Sequence, residues 1–347
     1  MALAYNVAHF TLPHAIQEFK TNLGFLPALW ADDGDFVLVD DVLFALKALA
    51  QLHVRHADVL FVTTSDLKNF VFSDIEPWGW DKAICSLLAN AGVSQDIMPT
   101  NEYVEKLRHL SDRRRTTGIT ARLRDGIENI TCGESKCCNS LDEVHEEMRK
   151  HGNIVVKAPW SSSGRGVRYI NTGMGESTAR WIAKTIERQG GVMVEPHYRK
   201  VCDFAMEFYI DNGVADYRGM SLFITNGSCY SGNVVATEDE KMRMVSRYIR
   251  PQLLHEVKVR IMQYLADSDY NGYKGPLGID MIAVTNESED GFLLDPCVEL
   301  NLRRTMGHVA NALKPTDAEP ARLMRIVHDV NYKLKFEAME NCFVKVY

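Results

Sequence analysis

From Asp40 to His56 apolar residues recur at helical spacing behind acidic residues, and the next apolar run, Val59-Leu60-Phe61-Val62, is short and bounded by Thr63-Thr64-Ser65-Asp66. That pattern predicts a helix followed by a strand. Asp81 to Ala91, closed by Gly92, and Glu102 to Leu110 read as two more helices. Ser111 to Cys138 is polar, basic and glycine-containing, and reads as a crossing into another lobe. From Ser140 the order changes to helix, strand, glycine loop, strand. Ser140 precedes an acid, Glu143, by three positions, which opens a helix running to about Lys150. Ile154 to Lys157 is a strand ending in a lysine, Val167 to Ile170 is placed to pair with it, Ser177 to Gln189 is helical, and Val192 to Glu195 is a strand. The last third supplies strands Phe204 to Ile210, Val214 to Ile224, Gly278 to Val284 and Phe292 to Asn301, with helices near Gln252 to Ala266 and Glu319 to Phe336. Strand runs separated by turns predict an antiparallel sheet, and neither an internal repeat nor a low-complexity segment is present.

Composition narrows the function classes. At 347 residues, 46% hydrophobic and 24% charged, the chain can bury a sizeable core in two or three lobes. The formal charge is −7 and no Lys/Arg run exceeds Arg113-Arg114-Arg115, which argues against a nucleic-acid partner. No window approaches 18 uninterrupted apolar residues, and the first residues lack a basic segment followed by an apolar one. The expectation is a soluble, cytoplasmic protein without a membrane partner. Eight cysteines without the dense spacing of a secreted scaffold suit free thiols in a reducing compartment. Cys132, Cys137 and Cys138 cluster, but no second pair follows at zinc-ligand spacing, which favours a plain loop.

The residues that carry chemistry lie in four places. On a strand, Glu299, Asn301 and Arg303 project to one face while Leu300 and Leu302 point into a core. Two oxygen donors and a fixed cation on one surface suit Mg²⁺ and phosphate oxygens, and a solvated strand edge is the competing reading. Gly278-Ile279-Asp280 is a second acidic strand. Ser161-Ser162-Ser163-Gly164-Arg165-Gly166 follows Lys157-Ala158-Pro159-Trp160, between two strands. Its small residues would let amides approach phosphate oxygens, or would simply form a hairpin tip, and no Gly-Lys-Ser/Thr follows, so it is not a Walker loop. Trp78 and Trp80, in Glu76-Pro77-Trp78-Gly79-Trp80-Asp81, fit either the wall of a substrate pocket or a domain interface.

In order and spacing, Ile154 to Ile170, Val192 to Ile210, Gly278 to Val284 and Leu293 to Gly307 resemble the ATP-grasp superfamily. The resemblance covers roughly residues 111–309. It implies an α/β and α+β architecture, in which two α+β lobes (residues 111–191 and 192–347) clamp ATP behind a small N-terminal α/β domain (residues 1–110). It further implies a ligase that uses ATP and Mg²⁺ or Mn²⁺ to activate a small-molecule carboxylate for attack by an amine, and a homodimer is compatible with it. The same clamp could phosphorylate a small molecule without ligation, or bind nucleotide without turnover. By position, Lys157 resembles the lysine that contacts the nucleotide phosphates and adenine, and Ser161 to Gly166 resemble the lid over the phosphates. Glu195, Pro196, His197 and Tyr198 resemble the adenine-binding hinge, and Asp203 the polar residue that follows it, with Glu207 a further candidate. Asp280, Glu299 and Asn301 resemble the metal ligands, and Arg303 the cation that stabilises the transferred phosphoryl group. Arg218 and Asn233 lie where the family often touches its acceptor, while Arg304 and His308 read as structural. Two departures stand out: Asp112-Arg113-Arg114-Arg115 occupies the place where many members carry a lysine after an acid, and Asp280 stands where several relatives carry glutamate.

Overall fold

The computed structural model describes residues 14–161, 166–227, 229–286 and 290–339. The chain runs through α1 (His14–Leu23), β1 (Phe36–Leu38), α2 (Val42–Ala50) and β2 (Leu60–Val62), with β1 and β2 paired in parallel. Then come α3 (Lys82–Asn90) and α4 (Asn101–Leu110). Each predicted helix here starts at an oxygen-bearing cap: Asp41 accepts from Phe44 N, Asp81 from Ala83 N and Ile84 N, and Thr100 from Tyr103 N.

Residues 111–138, read from the sequence as a crossing into another lobe, carry regular structure of their own. They fold into α5 (Thr116–Arg124) and β3 (Lys136–Cys138). Ile119 and Leu123, one turn apart, are 1% and 0% exposed, so two apolar residues in a basic segment are enough to anchor a helix on a core.

Next come α6 (Leu141–His151), β4 (Ile154–Lys157), β5 (Val167–Ile170), α7 (Glu176–Gln189) and β6 (Val192–Pro196). They form a four-stranded antiparallel sheet in the order β3-β6-β4-β5. Ile154, Val156, Val192 and Val194 pack with Val144 of α6 and Ile182 of α7. Strand alternation therefore turns Lys157, Met193 and Glu195 to the opposite face. β6 is a strand of this small sheet, and the chain passes to the larger sheet between Pro196 and Lys200.

The larger sheet holds β7 (Lys200–Asp211), β8 (Val214–Asn226), β9 (Cys229–Val235), β10 (Gly275–Thr285), β11 (Phe292–Asn301), β12 (Arg322–His328) and β13 (Tyr332–Ala338), in the order β11-β10-β7-β8-β9-β12-β13. Between these strands run α8 (Glu238–Val245), α9 (Pro251–Asp267) and α10 (Met306–Ala312). Phe204, Met206, Phe208, Ile279, Met281 and Leu300 share one core with Leu254, Val257 and Ile261 of α9. Residues 319–336, expected to be helical, instead give the β12–β13 hairpin. Tyr332-Lys333-Leu334-Lys335-Phe336-Glu337 alternates with period two, and Asp329-Val330-Asn331 makes the turn.

At the β9, β12 and β13 end, Val235, Met324 and Leu334 are covered by Phe25, Leu26, Leu29 and Val37 of the N-terminal part and by Val309 of α10. On the same face the start of α10 also covers Glu207 of β7, and Asp295 of β11 lies near Lys157 and Glu195 of the small sheet. No helix among the described residues is long and apolar enough to cross a membrane.

Candidate active site between the two sheets

Strand register builds the site. Glu299 stands opposite Asp280 and Asn301 opposite Gly278, while on the other side of β10 Gly278 faces Glu207 and Asp280 faces Ala205. One row further on, Ile282 lies between Asp295 and Asp203. Asp203, Glu207, Asp280, Asp295, Glu299 and Asn301 thus share the sheet face away from the core, as alternation requires. Asn301 Nδ2 donates to Asp280 Oδ2 at 3.2 Å, and the Arg303 guanidinium donates to Asn301 Oδ1 at 2.8 Å. Burial, and after it the nearby charges of Glu299 and Glu207, hold the Asp280 carboxyl well above its ordinary pKa. The structure brings the four residues singled out for metal and phosphate chemistry into one group.

The small sheet supplies the opposing wall. Lys157 is buried and its Nζ lies 2.5 Å from Glu195 Oε2. Arg113 spans the two walls: one guanidinium nitrogen donates to Ala158 O at 2.7 Å and Ser161 Oγ at 2.6 Å, and the other to Glu299 Oε1 at 2.6 Å. Its neighbours point elsewhere, Arg114 to Asp112 and the Trp160 ring, Arg115 to Asp269. Of the three arginines at the departure noted above, only Arg113 enters the cleft. Sequence reasoning identified the position without choosing the residue, because three consecutive arginines offer no local signal that separates them.

Of the lid, Ser162, Ser163, Gly164 and Arg165 lie outside the described residues. Its flanks close on each other: Ala158 N donates to Gly166 O at 2.8 Å, and a Cβ at Gly166 would collide with Ser161. In the hinge, His197 N donates to Asn153 O at 2.9 Å and its ring meets Asn171 Oδ1 at 2.9 Å. The Tyr198 hydroxyl accepts from Gly133 N and Glu134 N, each at 3.3 Å. Asp203 accepts from Thr225 Oγ1 at 2.9 Å and pairs with Lys200 at 2.6 Å. Glu207 is 1% exposed, accepting from Ser221 Oγ and Thr305 Oγ1 at 2.9 Å beside His308.

Asp295 is a site residue that sequence reasoning missed. It is buried near Lys157 and Glu195 and accepts from Cys297 N at 3.2 Å. Burial and the Glu195 charge push its carboxyl from 3.8 up to about 7, against a smaller opposing pull from the Cys297 amide, Lys157 and Arg124. The only sequence signal is an acid four residues before Glu299 inside a strand. A carboxyl with a raised folded-state pKa keeps its proton after the unfolded chain has lost it, so stability falls as pH rises from about 4 through about 7. Asp295→Asn is expected to remove that dependence and to raise the thermal midpoint at pH 8 but not at pH 4. Parallel melting curves for the two proteins check it, and equal pH slopes would count against the assignment.

The weaker acceptor candidates separate. Trp78 packs edge-on against Trp30 at 6.1 Å with 37% of its surface exposed, and it is its backbone carbonyl, accepting from Arg304 N at 2.7 Å, that meets the chain beyond β11. Arg304 pairs with Glu76 and lies over Trp30. Trp80 lines a cavity of about 460 Å³ together with Tyr103, Tyr209, Tyr273 and Pro276. Arg218 is exposed, pairs with Asp216 and lies over Tyr209 at the edge of that cavity. Asn233 is buried in β9, donating to Leu222 O and accepting from the Tyr230 hydroxyl, and the structure does not bring it to the site. Cys132, Cys137 and Cys138 are free thiols, and burial pushes Cys138 up to about 11.

No protein-family model matches the sequence, and no curated protein matches it. Among solved structures, the chain is similar to a biotin carboxylase in complex with β,γ-ATP from Campylobacter jejuni (14% identity, TM-score 0.44, covering 64% of this chain) and spans 52% of that enzyme's length. It is also similar to an N5-carboxyaminoimidazole synthetase from Staphylococcus aureus (11% identity, TM-score 0.47, covering 87% of this chain and 80% of that one). A third is a D-alanyl-alanine synthetase A from Vibrio cholerae (16% identity, TM-score 0.38, covering 63% and 61%). At these identities and scores, the functional reading rests on the chain's own residues.

Proposed function

We propose that this chain is an ATP-grasp-type ligase, which activates a carboxylate as an acyl phosphate with Mg²⁺·ATP (Mn²⁺ being the alternative cation) and passes the acyl group to an amine, releasing ADP and phosphate. The observation that carries this reading is the convergence of Asp280, Glu299 and Asn301 on one sheet face across from the Lys157–Glu195 pair, with Arg303, in the bend just past the end of β11 rather than on the strand as expected, reaching back to Asn301 and Arg113 joining the walls.

The donor set fits a hard divalent cation. Asp280 and Glu299 are adjacent carboxylates, and their mutual repulsion with Glu207 is what such a charge relieves. Among the described residues no group of three or more His, Cys, Asp and Glu side chains is arranged for a metal. Two carboxylates with the Asn301 amide oxygen suit an ion whose remaining ligands are phosphate oxygens and water. When bound, the ion neutralises charge on the phosphates. Arg303 would meet the equatorial oxygens of the phosphoryl group in transfer, and Lys157 and Arg113 would hold the phosphates. A carboxylate oxygen attacks the γ-phosphorus as the bond to the β-phosphate oxygen breaks and ADP leaves. The amine nitrogen then attacks the acyl carbon, phosphate departs, and the nitrogen loses a proton. Closure of the sheets would keep water from the acyl phosphate.

The experiment is a screen of carboxylate and amine pairs for ADP release, with mass spectrometry of the product. An amide formed in step with ADP supports the reading. A stable phosphorylated product formed without any amine makes the protein a kinase, and no Mg²⁺-dependent ADP release from any pair sinks catalysis altogether. Arg113→Lys tests the bridge: one ammonium cannot reproduce the fork that serves three acceptors, so the KM for ATP is expected to rise about tenfold, as for one charge-assisted hydrogen bond. An unchanged KM would remove Arg113 from the nucleotide site.

A further inference from the structure

The sheet face that carries the site continues beyond it. Along β10 the residues on that face run Ile282, Asp280, Gly278, Pro276, each step about 7 Å. Ile282 lies between Asp203 and Asp295, the latter near Lys157 and Glu195, Asp280 is opposite Glu299, and Gly278 is opposite Asn301. Pro276, opposite Tyr209, opens into the 460 Å³ cavity. That volume suits a small-molecule ligand. The cavity meets the site at Arg303: Gly79, one of its lining residues, lies so close that an added Cβ would stand 2.8 Å from the Arg303 Cβ.

The lining is apolar in effect as well as in composition. Its charged groups are already paired, Lys274 with Asp74 at 2.9 Å and Glu76 with Arg304. The Tyr273 hydroxyl donates to Pro276 O at 2.7 Å and the Tyr103 hydroxyl accepts from Lys274 N at 3.0 Å, so their polar ends are engaged with backbone. Trp80, Ile97 and Met98 complete the wall. Arg303 stands behind that wall rather than in it: its Cβ lies against Gly79, its guanidinium bonds Asn301 Oδ1 and the Arg304 carbonyl, and its charge acts on the buried Tyr273 hydroxyl, which makes it the cation on the site side of the cavity.

We propose that this cavity receives the carboxylate to be activated, and that it selects a monocarboxylate with an aromatic or bulky aliphatic body over di-acids, sugar acids and amino acids with charged side chains. The assignment rests on the ligase reading for the fate of the acid, though not for its binding. A second charged group on the ligand would have to displace an existing ion pair or remain unpaired in an apolar wall.

The test uses 3-phenylpropanoate and succinate as probes of the full chain. Binding of each is followed by calorimetry without nucleotide, and then as a KM for acid-dependent ADP release. The expected result is at least about a tenfold preference for 3-phenylpropanoate. Ile97→Trp, which fills the half-buried end of the cavity, should raise the KM for the aromatic acid about tenfold and leave the KM for ATP within about twofold. Tyr209→Ala, which enlarges the cavity, should shift the preference toward larger aromatic acids. Thermal midpoints close to that of the parent chain confirm that both variants fold. Succinate binding as tightly as 3-phenylpropanoate, or an aromatic KM unmoved by both variants, overturns the assignment. If ADP release with other acids persists in that case, the ligase reading stands. Aromatic binding in the cavity without ADP release under any amine would instead overturn the ligase reading and support the cavity.

Discussion

Glu299→Gln is expected to lower substrate-driven ADP release by about two to three orders of magnitude while leaving the fold nearly as stable as before. Glutamine keeps an acceptor for the Arg113 guanidinium, which now bonds Glu299 at 2.6 Å, and it keeps the strand geometry that sets Glu299 opposite Asp280. What it loses is the charge that the proposed function assigns to holding the metal, and phosphoryl transfer depends on charge stabilisation more than on covalent chemistry. Glu299→Ala differs in a diagnostic way. Arg113 is 6% exposed and its Nε already has no partner. Removing its carboxylate should therefore also cost about 1–3 kcal/mol of stability. Steady-state kinetics and thermal denaturation on both variants separate the two effects. Activity of Glu299→Gln within threefold of the parent would remove Glu299 from the reacting group.

The largest expected loss of stability is at Gly307. It sits in the first turn of α10, over the buried Glu207 carboxylate, and a Cβ there would collide with Glu207 Oε1 and Ser221 Oγ and lie 2.7 Å from the Ser221 Cβ. A clash with the end of a long side chain is normally relieved by a rotamer change. Here Glu207 is held by Ser221 and Thr305, stands beside His308, and is covered by two sheet neighbours, Gly219 and Gly278. Gly307→Ala must push the helix off the sheet or strip the carboxylate of its donors, which is expected to cost at least about 3 kcal/mol. Urea unfolding measures it. In a Glu207→Ala background the same substitution should cost markedly less, since the clashing oxygens are gone. Additive losses in the double variant would show that the contact does not govern the site.

Legibility varied with the range of the interaction. Strand β11 came out with the bounds expected, Phe292–Asn301, because alternation and a bounding turn are local. The capped helices were visible for the same reason. The helix expected over residues 319–336 failed because apolar residues in Arg322–His328 fit either period, and only pairing of Arg322 to Met324 with Val235 to Asn233 on β9 decides for strand. Arg113 stood in a run of three arginines, and its selection depends on Ala158, Ser161 and Glu299, the last 186 residues away. Asp295 was hidden likewise, since its altered proton affinity comes from burial and from Glu195 on the other sheet.

By itself the sequence determined that Glu299 and Asn301 share one strand face, because strand period two assigns faces without knowledge of the fold. It also determined that Lys157 ends a strand ahead of a glycine loop. Tertiary structure alone decided that these faces oppose one another, that one arginine of three bridges them, and that Trp78 packs on Trp30 while Trp80 lines a cavity. Those outcomes depend on strand order and on which face each lobe covers, and both are fixed by packing between segments a hundred or more residues apart.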